Sequence, residues 1–134
     1  MSARHKARKR ALDILFEAQI RGLNPLDVLA TRAEDPELTL NPYTKTLVEG
    51  GCANHDEIDL AIGQYSRDWD IDRMPTTDVC ILRMGVFELQ YVSDVPAGVA
   101  ISEAVELAQD LSTDESAAFV NGLLGRIALS LPDA

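Results

Sequence analysis

The chain has 134 residues, 46% of them hydrophobic and 5% aromatic, with a formal charge of −10 and a pI near 4.5. That is the length of one domain with enough Leu, Ile, Val and Ala to fill a core, which excludes a disordered acidic tail. No apolar run approaches the ~18–20 residues needed to cross a bilayer and no apolar segment adjoins the charged N-terminus, so neither a membrane span nor a signal peptide is expected.

Five of the twelve Lys and Arg side chains fall in the first ten residues: Arg4, Lys6, Arg8, Lys9 and Arg10. Without that segment, seven basic groups face twenty-two acidic ones and the charge is −15. The cations open a predicted helix from about Ala3 to Arg21, where the macrodipole disfavours positive charge. Selection for stability alone would place Asp or Glu there. A short basic segment on an acidic body fits either a local nucleic-acid contact or a solvated terminus. On this helix Ala7, Ala11, Ile14, Leu15 and Ala18 recur at i, i+4, i+7, i+8 and i+11 as the inward stripe. Lys6, Lys9 and Arg10 project opposite the stripe and Arg4 and Arg8 flank it, forming a collar suited to phosphates rather than bases. Leu12, Phe16 and Ile20 make a second apolar face, for another subdomain or for a partner.

Gly22 ends the first helix, and Asn24-Pro25 caps a short one running to Ala33. The acidic stretch Glu34–Pro42 reads as a loop and a candidate seam. From Asn41-Pro42 a helical pattern runs to about Tyr65, with a kink or a close helix contact expected at Gly50-Gly51. Ser66–Met74 is a charged connector containing Trp69. Pro75 opens a helix with Val79, Leu82, Val86 and Leu89 inward. After the turn Ser93–Pro96 comes an amphipathic helix, Val99–Leu111, with Ile101, Ala104, Val105, Ala108 and Leu111 inward. Ser112-Thr113-Asp114-Glu115 has the form of a capping box, with Ser112 as N-cap. The last helix carries Phe119, Val120, Leu123, Leu124 and Ile127. No stretch shows convincing strand alternation. The fold class is therefore all-α, with six to seven helices.

Candidate chemistry is sparse. Cys52 and His55 are spaced i, i+3, but no second ligand pair accompanies them, so a buried thiol and a surface imidazole are expected rather than a metal site. Cys52 and Cys80 lack the spacing of a disulfide scaffold, which fits a reduced, cytosolic protein. There is no G-x-S-x-G and no Gly-rich loop after a strand, so no catalytic residues and no cofactor are assigned. The segment Phe119-Val120-Asn121-Gly122-Leu123-Leu124-Gly125 is unusual inside a helix, because each Gly costs about 1 kcal/mol relative to Ala. Either a neighbouring helix packs closely there or a nucleotide lies over the Asn-Gly face.

Several segments resemble the NusB family of bacterial transcription antitermination factors. Ala3-Arg4-x-x-Ala7-Arg8-x-x-Ala11 with Leu15-Phe16 is similar to its arginine-rich first helix. Ile81-Leu82-Arg83 with Phe87-Glu88-Leu89 is similar to its central helix. Val99-Ala100-Ile101-Ser102-Glu103-Ala104-Val105-Glu106-Leu107-Ala108 and Phe119-Val120-Asn121-Gly122-Leu123-Leu124 are similar to its two C-terminal motifs. Ser102, Gln109 and Gly125 depart from the family's usual Asn, Lys and acidic residue, and they bear on the RNA side. The resemblance implies two small packed helical subdomains, placed at about 1–65 and 66–134 of a single domain spanning 1–134. It implies binding of boxA RNA together with the small-subunit ribosomal protein NusE. Through other Nus factors and RNA polymerase, that complex would promote processive transcription of ribosomal RNA operons, in the cytoplasm and without catalysis. Arg4, Lys6, Arg8, Lys9 and Arg10, with Phe119, Asn121 and Gly122, are the RNA-binding candidates. By the same resemblance Glu88, with Phe16 nearby, is the candidate contact for the ribosomal protein.

Two other readings stay open. The same domain begins some ribosomal RNA cytosine methyltransferases, although no region for S-adenosylmethionine follows here. A protein-only adaptor would fit the acidic body and Gly125. The basic collar and second apolar face also permit a homodimer. RNA binding with and without the ribosomal protein separates these readings.

Overall fold

A computed structural model describes residues 2–67 and 69–132. Residues 1, 68, 133 and 134, which include both ends of the expected 1–134 domain and one position of the Ser66–Met74 connector, lie outside the described residues. Among the described residues there are seven α-helices, one 3-10 turn and no strand. They group into two compact units, Met1–Ala53 and Asn54–Ala134.

The first unit holds α1 (Ala3–Arg21), α2 (Pro25–Ala33) and α3 (Pro42–Ala53). Local chemistry sets its boundaries. Ser2 caps α1 by accepting from the His5 N–H at 3.0 Å. Gly22 ends it in the left-handed region at φ 65°, and the Leu23 N–H returns to the Ala18 carbonyl. Asn24 caps α2 through the Leu26 N–H at 2.9 Å, with Pro25 at N1. The loop before α3 lies inside this unit, so Glu34–Pro42 is not a seam. Ala7, Ala11, Ile14 and Ala18 of α1 are buried as expected, with Val28, Leu47 and Val48 from α2 and α3; Leu15 is only half-buried. A buried hydrogen bond from the Thr44 hydroxyl to the Ala7 carbonyl, 3.0 Å, ties α3 to α1.

The second unit holds α4 (His55–Tyr65), a 3-10 turn (Ile71–Arg73), α5 (Thr76–Tyr91), α6 (Ala97–Leu111) and α7 (Asp114–Ser130). The division falls at Ala53–Asn54 rather than near residue 65, because α4 packs on α5 and α7. The helical pattern from Pro42 to Tyr65 breaks at Asn54, not at Gly50-Gly51. A Cβ on Gly51 would meet no atom within 4 Å, so no close helix contact explains it. The break also puts Cys52 and His55 on different helices.

Helix α5 is the centre of this unit. It is buried on nearly all sides, including Val79, Ile81, Leu82, Val86 and Gly85. The close approach expected at the glycines of α7 occurs instead at Gly85. A Cβ there would lie 2.8 Å from Leu124 Cδ1 of α7 and 3.7 Å from the Ala104 Cβ of α6. Helix α6 accordingly turns its small residues inward. Ala100, Ala104, Leu107 and Ala108 are buried, Ile101 and Val105 only half-buried, and Leu111 is 44% exposed. Ala104 and Ala108 are inward as expected, and the inward face is rotated by about 50° from the expected stripe.

The cap of α7 sits one residue later than expected. Thr113 Oγ1 accepts from the Ser116 N–H at 3.0 Å. Ser112 turns away instead and donates to Asp78 Oδ1 at 2.8 Å, while the Ser116 hydroxyl donates to Asp78 Oδ2 at 2.7 Å. Asp78 is fully buried in the first turn of α5, so this network pins the start of α7 to the start of α5.

Candidate nucleic-acid interface

The collar divides into two sets. Arg8 is only 2% exposed, and its guanidinium lies 5.6 Å from the Tyr43 ring centroid. Arg4, half-buried, lies over the same ring at 4.3 Å. Both distances are within cation–π range. Tyr43 is itself capped into the start of α3, its N–H donating to Asn41 Oδ1 at 2.8 Å. Arg8 therefore belongs to the fold of the first unit and not to an exposed collar. His5 of the same segment is likewise buried.

Lys6, Lys9 and Arg10 are exposed. Lys6 and Arg10, one helical turn apart, line a pocket of about 270 Å³ with Ala3, Ala7, Thr39, Leu40, Asn41 and Thr44. Two cations beside hydroxyl and amide side chains form a site for an anionic group. No acidic residue stands in the first turn of α1 to neutralise them.

In the second unit, Phe119 and Asn121 do not converge. They stand about 200° apart around α7. Phe119 is half-buried and meets Trp69 in a T-shaped contact, with centroids 5.1 Å apart and planes at 64°. Asn121 is exposed and lines an open groove of about 690 Å³ between α6 and α7, with Ile101, Ser102, Val105 and Glu106. Gly122 faces Arg126: a Cβ there would be 3.4 Å from its NH1. The Arg126 guanidinium donates to the Tyr65 carbonyl through Nε and NH2, at 3.3 and 3.2 Å. Gly125 has open space where its side chain would be. Helix packing thus accounts for neither glycine.

The candidate protein contacts fare unequally. Phe16 is 39% exposed and Ile20 60%, joined by Leu23 and Leu26 at 41% each, which makes an apolar surface on the α1–α2 hairpin; Leu12 of the expected second face is buried. Glu88 is 2% exposed. It is therefore neither a solvated residue nor a surface charge able to attract a basic partner. Arg83 makes a bidentate pair with Asp59, at 2.8 and 2.9 Å, and Arg126 holds Tyr65.

The cysteines have no activating surroundings. Burial pushes the Cys80 thiol up to about 11, against a smaller opposing pull from Arg83, and burial also raises Cys52. Both thiols are held in the neutral, unreactive form.

The comparisons with known proteins converge on one family. The NusB family model matches residues 5–129. The chain belongs to the NusB family. A transcription antitermination protein NusB from Arthrobacter sp. (strain FB24) is 55% identical over 127 residues, covering 95% of this chain and 93% of the relative. NusB of T. maritima has a similar structure, with a TM-score of 0.86 at 29% identity over 96% of this chain and 92% of that one. A solved complex of the antitermination factors NusB and NusE with double-stranded RNA contains a chain with a TM-score of 0.83 and 27% identity, covering 97% of this chain and all of the other. As a NusB-family transcription antitermination factor, the chain is a binding protein and not an enzyme. Among the described residues, no helix is long and apolar enough to cross a membrane.

Proposed function

We propose that this chain binds boxA RNA together with the ribosomal protein NusE. With other Nus factors it would support processive transcription of ribosomal RNA operons by RNA polymerase in the bacterial cytoplasm. The observation that carries the reading is the exposed set Lys6, Lys9 and Arg10 around an anion-sized pocket on an otherwise acidic protein. These side chains supply the phosphate contacts. Arg4 contributes from the edge of the set, and Arg8 acts by holding Tyr43. Of the base-reading candidates on α7, Asn121 stands exposed on the groove with Gly122 beside it, while Phe119 lies on another face of the helix against Trp69. Phe16 and its apolar neighbours on α1–α2 are the surface offered to NusE, whose basic character suits the acidic body. Glu88, being buried, supports the fold around α5.

Titration of boxA RNA and a scrambled RNA of equal length, with and without NusE, tests this. The expected result is a preference for boxA that strengthens when NusE is present. Equal, NusE-independent binding of both RNAs, or no binding of either RNA by a chain that binds NusE, would contradict it.

A further inference from the structure

The Trp69–Phe119 contact bears on which ring an RNA base would meet. Phe119 is half-buried, whereas Trp69 keeps 40% of its surface. In a T-shaped pair the edge of one ring meets the face of the other, so Phe119 covers at most one face of Trp69. At least one broad indole face is therefore not used by this contact. The loop behind it is held: the Ser66 hydroxyl donates to the Trp69 carbonyl, and the Arg73 N–H donates to the Asp70 carbonyl at 2.9 Å, closing the 3-10 turn. An indole that keeps 40% of its surface on a restrained loop is pre-organised for stacking, because little ordering remains when a planar ligand arrives.

The local charge defines what this site can and cannot do. Arg67 and Arg73 are offset in sequence by Asp68, Asp70 and Asp72. The connector has no net positive field with which to hold phosphates. Any contribution from Trp69 to RNA binding is therefore stacking, which is sequence-tolerant and insensitive to salt relative to phosphate contacts.

We propose that Trp69 is the stacking platform for an unpaired base of bound RNA and that Phe119 buttresses it rather than receiving the base. This rests on the RNA-binding reading above, and the test separates the two. Trp69 is the chain's one tryptophan, so its fluorescence reports on this position in the unmodified protein. Single-stranded boxA RNA carrying an end label is titrated while label anisotropy and tryptophan emission are both followed. The expected result is quenching that tracks the anisotropy isotherm. Trp69→Ala should weaken binding about tenfold, within the range for loss of one stacked base, and leave the slope of log K against log[salt] unchanged. Trp69→Phe should recover most of the loss. Binding by anisotropy with no change in emission overturns the platform while leaving RNA binding intact. So does a folded Trp69→Ala protein that binds normally. Absence of any anisotropy change overturns the RNA reading and the platform with it. Quenching in the unmodified chain decides the matter even if Trp69→Ala does not fold.

Discussion

Gly85 and Gly125 are both glycines inside helices, and their surroundings assign them opposite roles. At Gly85 a methyl group would collide with the buried Leu124 side chain, which would have to shift within a packed core, so Gly85→Ala should lose the usual helix-propensity gain and cost about 1–2 kcal/mol net. At Gly125 the space is open, so Gly125→Ala should stabilise by about 0.5–1 kcal/mol through helix propensity alone. Denaturant unfolding of the two variants checks the pair, and a Gly85→Ala protein stabilised as much as Gly125→Ala would show that Leu124 does not pack tightly against Gly85. Arg8 is judged in the same way. Its guanidinium faces Tyr43 from a buried position, so Arg8→Ala should lower stability by about 1–2 kcal/mol and leave the salt dependence of RNA binding unchanged. A thermal melt and an RNA titration of that one variant decide between a structural and a phosphate-binding arginine. Cys80 gives a pH prediction. Its folded value is raised from an ordinary 9.0 to about 11, so between those values the unfolded chain has released a proton that the folded chain keeps. Stability should therefore fall as pH rises from about 9 to about 11 and be unaffected by this group below 9. The fall should be smaller in Cys80→Ala, measured by chemical denaturation at each pH.

At the scale of the element, the Asp78 network joins two helix starts that are distant in sequence. Removing the carboxylate leaves the Ser112 and Ser116 hydroxyls without their shared acceptor in a buried place. Asp78→Ala should cost about 1–3 kcal/mol, and hydrogen exchange should show the loss first at the beginning of α7. Uniform loosening of all helices would argue against a local pin. Most boundaries were legible beforehand because their causes are local: Gly22 at a left-handed turn, and Asn24-Pro25 at the start of α2. The inward face of α6 was not. Ala104 and Ala108 of the expected stripe are buried, but Ala100 and Leu107 complete the inward face in place of Ile101, Val105 and Leu111, which hydrophobicity and spacing equally favour. Which flank of the two alanines turns inward depends on the packing of α5 and α7, a long-range fact absent from the pattern of α6. The cap of α7 was misplaced for a similar reason, since Ser112 is drawn to Asp78, thirty-four residues earlier.

For the whole molecule, the all-helical class and the family could be read from composition and motif order, and the matched family model and solved NusB structures agree with that reading. The division of labour among the candidate site residues could not. Arg8, His5 and Glu88 are polar residues whose burial depends on partners that a helical wheel does not show. Trp69 lies in a connector with no periodic signal, and its role depends on the contact with Phe119, fifty residues further on. What remains of the collar is Lys6, Lys9 and Arg10, the exposed cations proposed to hold the phosphates. The most direct measurement is the salt dependence of boxA RNA affinity for the unmodified chain and for the triple variant Lys6→Ala, Lys9→Ala, Arg10→Ala. Three phosphate contacts on a single strand contribute about −2 to the slope of log K against log[salt], so the triple variant should lose about that much, keeping only the smaller part from Arg4, with folding retained. A triple variant that folds and keeps the original slope would place the RNA on another surface and contradict the account.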